Sequence, residues 1–313
     1  MNAQAPPRAR PDPTTGGDSV IRRFTLWWFR QPGAVTHVSA NVQVDATAAL
    51  AYIGRLAAQD RLHEDGRPHV TLQHLLAGAV GRALHAHPAA NARIVGRRIV
   101  PSETVGLAMP VNLLGHAAGD KAELGMAIVD QVCARSLREI AAETGRAVKG
   151  ERSGRSTNPM VRALKGIGAR APQRALDLGL DLLDRAGQNS VAADLIAKQL
   201  PVTAGLTNPG AATGGMAGVR FMGGAFSLPR ALVHVGTVWG ITPIQDEVMV
   251  VNGAPAVRPA LPVMLLFDHR LIDGVRAGRL IQTFAGLLLD PAAAFGEDAE
   301  LRAPHARAPH RPT

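Results

Sequence analysis

The last third of the chain constrains the fold most, because the period of its apolar pattern changes twice with no linker between. Val248, Val250 and Val251 run into Asn252-Gly253, and Ala256 and Val257 follow. Asn-Gly suits the two positive-φ positions of a type I′ turn, so the stretch predicts a β-hairpin. Pro262 to Phe267 is an apolar run of strand length. Beyond it Ala277, Leu280, Ile281, Phe284, Leu287 and Leu288 share one helical face. A buried strand feeding directly into an amphipathic helix requires a sheet with helices laid against it, which is an α/β layer architecture.

The upstream pattern agrees. Val38, Ala40, Val42 and Val44 alternate with polar neighbours as in a half-buried strand, and an Ala- and Leu-rich helix is expected from about Ala46 to Ala58. Leu72, Leu75, Leu76, Ala79, Val80 and Leu84 recur at helical spacing after Thr71. Strands are expected at 104–111 and 125–132, a helix near 136–148, a loop from Glu151 to Pro159 and a strand from Leu232 to Trp239. Residues 150–200 predict two or more further helices, because Gly166, Gly168, Pro172 and Gly179 interrupt any single one. Their mixed apolar and basic face raises membrane or lipid contact as an alternative to a helical decoration packed on the domain; the decoration is the reading adopted.

Composition narrows the function classes. Thirty-four Lys plus Arg against 25 Asp plus Glu give a net charge of +9, which favours anionic partners. Much of that charge sits in a Pro/Gly/Arg-rich arm over residues 1–18 and a similar tail over 297–313, both expected to be disordered. Basic arms without aromatic interleaving or a binding module do not make a nucleic-acid interface. The single cysteine, Cys133, excludes an internal disulfide and a cysteine-rich metal site, and is read as buried packing. No signal core or membrane span is evident, so a cytoplasmic protein is expected. The remaining histidines, including the His85/His87 pair, lack ligand spacing, and no metal is expected.

The chemistry concentrates in Phe267-Asp-His-Arg-Leu-Ile-Asp-Gly274. Imidazole accepts and returns a proton near neutrality, and His269 stands where a buried strand meets a helix. Asp273 can organise the turn, and Gly274 removes a side chain there. The residues alone also fit a structural histidine beside a helix N-cap aspartate. The glycines from Gly214 to Gly224 do not make a phosphate loop, since no Gly-Lys-Ser/Thr follows; they read as a flexible loop after Thr207.

FDHRLIDG followed by a helix and LLLDP resembles the catalytic domain of the dihydrolipoamide acyltransferases of 2-oxoacid dehydrogenase complexes. The preceding ALVHVGTVWGITPIQDEVMVVNGAPAVRPALPVML, together with VTHVSANVQVDATAAL, VTLQHLLAGAVGRALHAHPAANARI and SLREIAAE, extends the resemblance over roughly Val20 to Pro291. It implies one catalytic domain over 19–296, interrupted by a helical insertion at 150–200. Its fold would be a two-layer chloramphenicol-acetyltransferase-like sandwich, a mixed sheet with flanking helices. It further implies a CoA-dependent acyltransferase, with coenzyme A or acyl-CoA as substrate. His269 matches the family's general base, Thr207 in Gly205-Leu-Thr-Asn-Pro-Gly210 matches its oxyanion-binding serine, and Asp273 matches a position that supports site geometry. Thr207 is otherwise an ordinary strand-end residue. Arg22 or Arg23 would pair with Asp273, His37 falls in a family-like context better explained by packing, and Asn208 is a polar lining residue.

The resemblance also implies a homotrimer, with His269 of one chain facing Thr207 of its neighbour, and leaves open a larger assembly. The roughly 18 residues before the matching region hold neither a lipoyl nor a subunit-binding domain. A lipoyl arm is therefore expected to arrive in trans, or acyl-CoA to serve another acceptor. The competing expectation is a catalytically silent trimeric scaffold that keeps the fold and binds partners.

Overall fold

The computed structural model describes residues 37–62, 66–96, 98–113, 124–208 and 234–303. The elements in chain order are β1 (His37–Asp45), α1 (Thr47–Leu62), α2 (Leu72–Ala86), β2 (Ala92–Val95), β3 (Arg98–Pro101), β4 (Leu107–Asn112) and β5 (Leu124–Val129). A short 3₁₀ turn (Val132–Ala134) leads to α3 (Leu137–Arg152), α4 (Pro159–Arg170), α5 (Gln173–Gly187), α6 (Ser190–Gln199) and β6 (Ala204–Thr207). Then come β7 (Thr237–Ile241), β8 (Gln245–Val251), β9 (Ala254–Asp268), α7 (Gly274–Leu289) and α8 (Pro291–Phe295).

Local chemistry sets the boundaries. Thr71 and His74 form a capping box at the start of α2, as Ser136 and Glu139 do at α3. Asn158 and Asn189 cap α4 and α6 by accepting from Val161 N and Val191 N. The β8–β9 hairpin turns on Asn252 and Gly253 at φ 52° and 80°, as a type I′ turn requires. The run from Pro262 to Phe267 is no separate strand: β9 continues unbroken from the hairpin for 15 residues. Pro255, Pro259 and Pro262 hide that continuity from a pattern reading.

Among the described residues the main sheet has seven strands in the order β1-β9-β7-β6-β4-β5, with β8 also on β9. β6 lies parallel to β4 and β7 while the other pairs are antiparallel, so the sheet is mixed. Its buried face packs on α2 and α7, with Trp239 and Phe284 ring centroids 4.7 Å apart and both side chains fully buried. Phe284 alone removes some 150–250 Å² from water, which contributes several kcal/mol. Cys133 is buried, and burial pushes its thiol upward.

Three helices, α4 to α6, occupy the region expected to hold two or more. Glu151, 1% exposed, accepts from Lys165 Nζ at 2.5 Å and Met126 N at 3.2 Å, tying α4 to the sheet edge. The return to the sheet depends on Gly106, where an added Cβ would stand 1.5 Å from the Pro201 carbonyl oxygen. No helix among the described residues is long and apolar enough to cross a membrane.

The chain stays packed past the expected boundary at 297. Ala299 is fully buried, the Asp298 carbonyl accepts from Arg138 Nε at 3.1 Å, and Arg302 pairs with Glu139. Basic Arg302 thus serves an ion pair, which a compositional reading of the tail misses. Residues 1–36 and 304–313 lie outside the described residues, as do Arg22, Arg23 and the glycines from Gly214 to Gly224.

Candidate active site

β9 ends at Asp268 and delivers His269 to the end of the sheet where β6 and β7 begin. Asp268 is fully buried and accepts from Arg270 N at 3.0 Å, Arg270 Nε at 3.0 Å and Arg270 Nη2 at 2.6 Å. His234 Nε2 donates to its Oδ2, the oxygen that also accepts from Arg270 Nη2, at 2.9 Å. Burial alone would raise this carboxyl; His234 and Arg270 outweigh it and hold the group well below the usual carboxylate range. The residues on both sides of His269 are therefore locked together, and Leu271 and Ile272 are buried beyond them. His269 itself is exposed, with its ring 6.0 Å from that of Phe267. A fixed backbone with an accessible imidazole is the arrangement a proton-transfer group needs.

Asp273 has the capping role. Its carboxylate accepts from Arg276 N at 2.8 Å at the start of α7, and that bond lowers its pKa from the ordinary value. It thereby fixes the helix that follows His269. His37 stands opposite Asp268 in the β1–β9 register, a strand-flanking place consistent with packing.

Thr207 is the last residue of β6 and is partly buried. It lies level with Gly240 of β7, which pairs with Met264 of β9. His269 is five residues further along that strand, roughly 16 Å at 3.3 Å per residue. The fold brings His269, Asp268 and Asp273 together and leaves Thr207 five residues further along the sheet, level with Met264 inside β9. Asn208 is held there, its Nδ2 donating to Gln73 Oε1 at 3.0 Å, so the start of α2 steadies the residue after Thr207.

Pattern reading missed His234 and Asp268 as partners. His234 lies in the segment before β7 and Asp268 ends the neighbouring β9, 34 residues apart in sequence, and the only signal was an aspartate directly before the motif histidine. Among the described residues no group of three or more His, Cys, Asp or Glu could hold a metal ion.

Residues 30–161 and 215–296 match the family described as 2-oxoacid dehydrogenases acyltransferase (catalytic domain). A lipoamide acyltransferase component of a branched-chain α-keto acid dehydrogenase complex from Pseudomonas aeruginosa is 37% identical over 76 residues, covering 24% of this chain and 18% of that protein. A dihydrolipoyllysine-residue succinyltransferase component of the 2-oxoglutarate dehydrogenase complex from Azotobacter vinelandii is 37% identical over 70 residues, covering 22% and 18%. The matches thus span under a fifth of those relatives' length. The Azotobacter vinelandii dihydrolipoamide acetyltransferase structure aligns with TM-score 0.59 at 18% identity, covering 87% of this chain and 88% of that one. A truncated catalytic core of the Thermoplasma acidophilum 2-oxoacid dehydrogenase multienzyme complex aligns with TM-score 0.53 at 18% identity, covering 87% and 94%. These structures share the fold described above.

Proposed function

The chain belongs to the family of 2-oxoacid dehydrogenase acyltransferase catalytic domains, and from that premise we propose that it is a cytoplasmic CoA-dependent acyltransferase with His269 as general base. The observation that carries this reading is the exposed His269 ring on a backbone clamped by the Asp268–Arg270 pair.

A thiol with a pKa near 8.5 is mostly protonated at neutrality, so it needs a base to attack. His269 takes the thiol proton, and the thiolate adds to the thioester carbonyl. The tetrahedral oxyanion accepts a hydrogen bond from the Thr207 hydroxyl. Collapse expels the second thiolate, which recovers the proton from His269. General-base assistance of this kind supplies about 10²–10⁴-fold in rate. In the Azotobacter vinelandii acetyltransferase, a serine, a histidine and an asparagine were investigated for the catalytic mechanism. That histidine and asparagine are spaced as His269 and Asp273 are here. Asp273 acts here as a positioning residue through its cap on α7.

Since Thr207 and His269 of one chain are far apart, we place the complete site between subunits of a homotrimer. An apolar stripe supports association. Val248 and Val257 oppose each other in the β8–β9 hairpin, Val250 lies two residues along, and all three are at least two-thirds exposed. A related pyruvate dehydrogenase structure is a cubic core, and a larger assembly with lipoyl arms supplied in trans fits the same scheme.

The test is thiol release from a panel of acyl-CoAs with dihydrolipoamide or another thiol as acceptor. Wild type should turn over and His269→Ala should lose about 10²-fold or more. Equal rates in the two would leave the silent-scaffold reading.

A further inference from the structure

We infer a second small-molecule site, for an organic amine or amino alcohol, in the cavity between the helical insertion and the sheet. The cavity measures about 610 Å³, within the range of small-ligand pockets. Its walls include Arg93 of β2, Asp130 after β5, Asp194 and Lys198 of α6, and His234 before β7. The family match leaves out residues 162–214, which supply α5 and α6, so this roof belongs to the chain's own elaboration. His269 is not in the lining, although His234 bonds Asp268 beside it, and the inference does not rest on the acyltransferase reading.

The roof is fastened to the β2–β3 hairpin. Arg93 Nη1 donates to the Ala193 carbonyl at 3.2 Å and its Nη2 pairs with Asp194. Gly96 N donates to Gln188 Oε1 at 3.1 Å. Two separate elements thus hold the cavity open between them.

Its polar groups select the ligand. The His234 side chain is 9% exposed, and among the described residues its Nδ1 has no partner. In the tautomer whose Nε2 N–H donates to Asp268, Nδ1 carries the lone pair and is a buried acceptor without a partner among the described residues. Asp130 adds a carboxylate whose charge burial disfavours, against the smaller opposing effects of Gln131 N and Arg135. Glu103 adds a further carboxylate to the lining. Arg93 and Asp194 neutralise each other, which leaves Asp130 and Glu103 against the exposed Lys198. A wall rich in acceptors and short of cations favours a ligand that brings hydrogen-bond donors and positive charge, and rejects an anion.

Calorimetric titration of the full chain with 1,4-diaminobutane and 2-aminoethanol, beside butane-1,4-diol and butyrate, tests this. The amines should bind saturably and more tightly than the diol, and butyrate should not bind. Loss of one charge-assisted contact should weaken amine binding about tenfold in Asp130→Asn and in His234→Gln. Asp130→Asn keeps the acceptor for Gln131 N, so it carries the test if His234→Gln lowers the melting temperature. His269→Ala should leave amine affinity unchanged. Absence of saturable amine binding, equal binding of butyrate, affinity untouched by both lining substitutions, or loss of amine binding in His269→Ala would each overturn the proposal.

Discussion

Thr207 lies level with Met264 across the sheet, whereas His269 follows the far end of that same β9 strand. No side-chain rotation spans roughly 16 Å of strand, so within one chain the hydroxyl and the imidazole do not meet. Their separation is what makes the proposed site a property of an assembly.

The exposed valine stripe on the β8–β9 hairpin should therefore be needed for association. Val250→Lys with Val257→Lys should leave the melting temperature of the isolated chain nearly unchanged, because both side chains are already at least two-thirds exposed. Light scattering should show a shift toward smaller species and activity should fall with it. An unchanged mass would remove the hairpin from the interface.

Gly106 should tolerate no side chain. A Cβ there meets backbone, the Pro201 carbonyl, and Thr203 N donates to the Gly106 carbonyl at 2.9 Å beside it. Gly106→Ala should cost about 1–3 kcal/mol or more and loosen the segment returning from α6. Limited proteolysis should then cut between 153 and 203 sooner than in wild type, while equal cleavage rates would contradict this packing.

Stability should fall on the acid side through His74. Burial, reinforced by His69, lowers its pKa to about 4 from the ordinary 6.5. Its Nδ1 accepts from Thr71 N at 3.1 Å, a bond that protonation removes. The unfolded chain takes up the proton first, so the contribution is present above about pH 6.5 and is lost as pH falls to about 4. It amounts to on the order of 3 kcal/mol across that window. Melting temperatures of wild type should drop over this range more steeply than those of His74→Gln; parallel curves would assign the acid loss to other groups.

The elements readable from sequence were those with a local chemical marker. Asn252-Gly253 announced its turn, Thr71 stood at the start of a clean helical stripe, and the α7 face repeated its apolar residues without interruption. β2 and β3 went unread because four-residue strands around Gly96 carry too short an alternation. The tail after 297 was misread because Ala299 and Arg302 act only through tertiary partners, the core and Glu139. At the site, His269 and Asp273 were visible as a motif. The His234–Asp268 bond was not, since the register of β7 and β9 brings these residues together rather than sequence proximity.

Mixed assembly tests the shared site most directly. Thr207→Ala and His269→Ala chains, each prepared alone, should both be nearly inactive in the acyl-CoA thiol-release assay. Unfolded together and refolded as a one-to-one mixture, they should regain about one quarter of wild-type activity, the fraction of subunit boundaries that pair an intact imidazole with an intact hydroxyl. A mixture no more active than the separate variants, with correct assembly confirmed by mass, would contradict a site built from two chains.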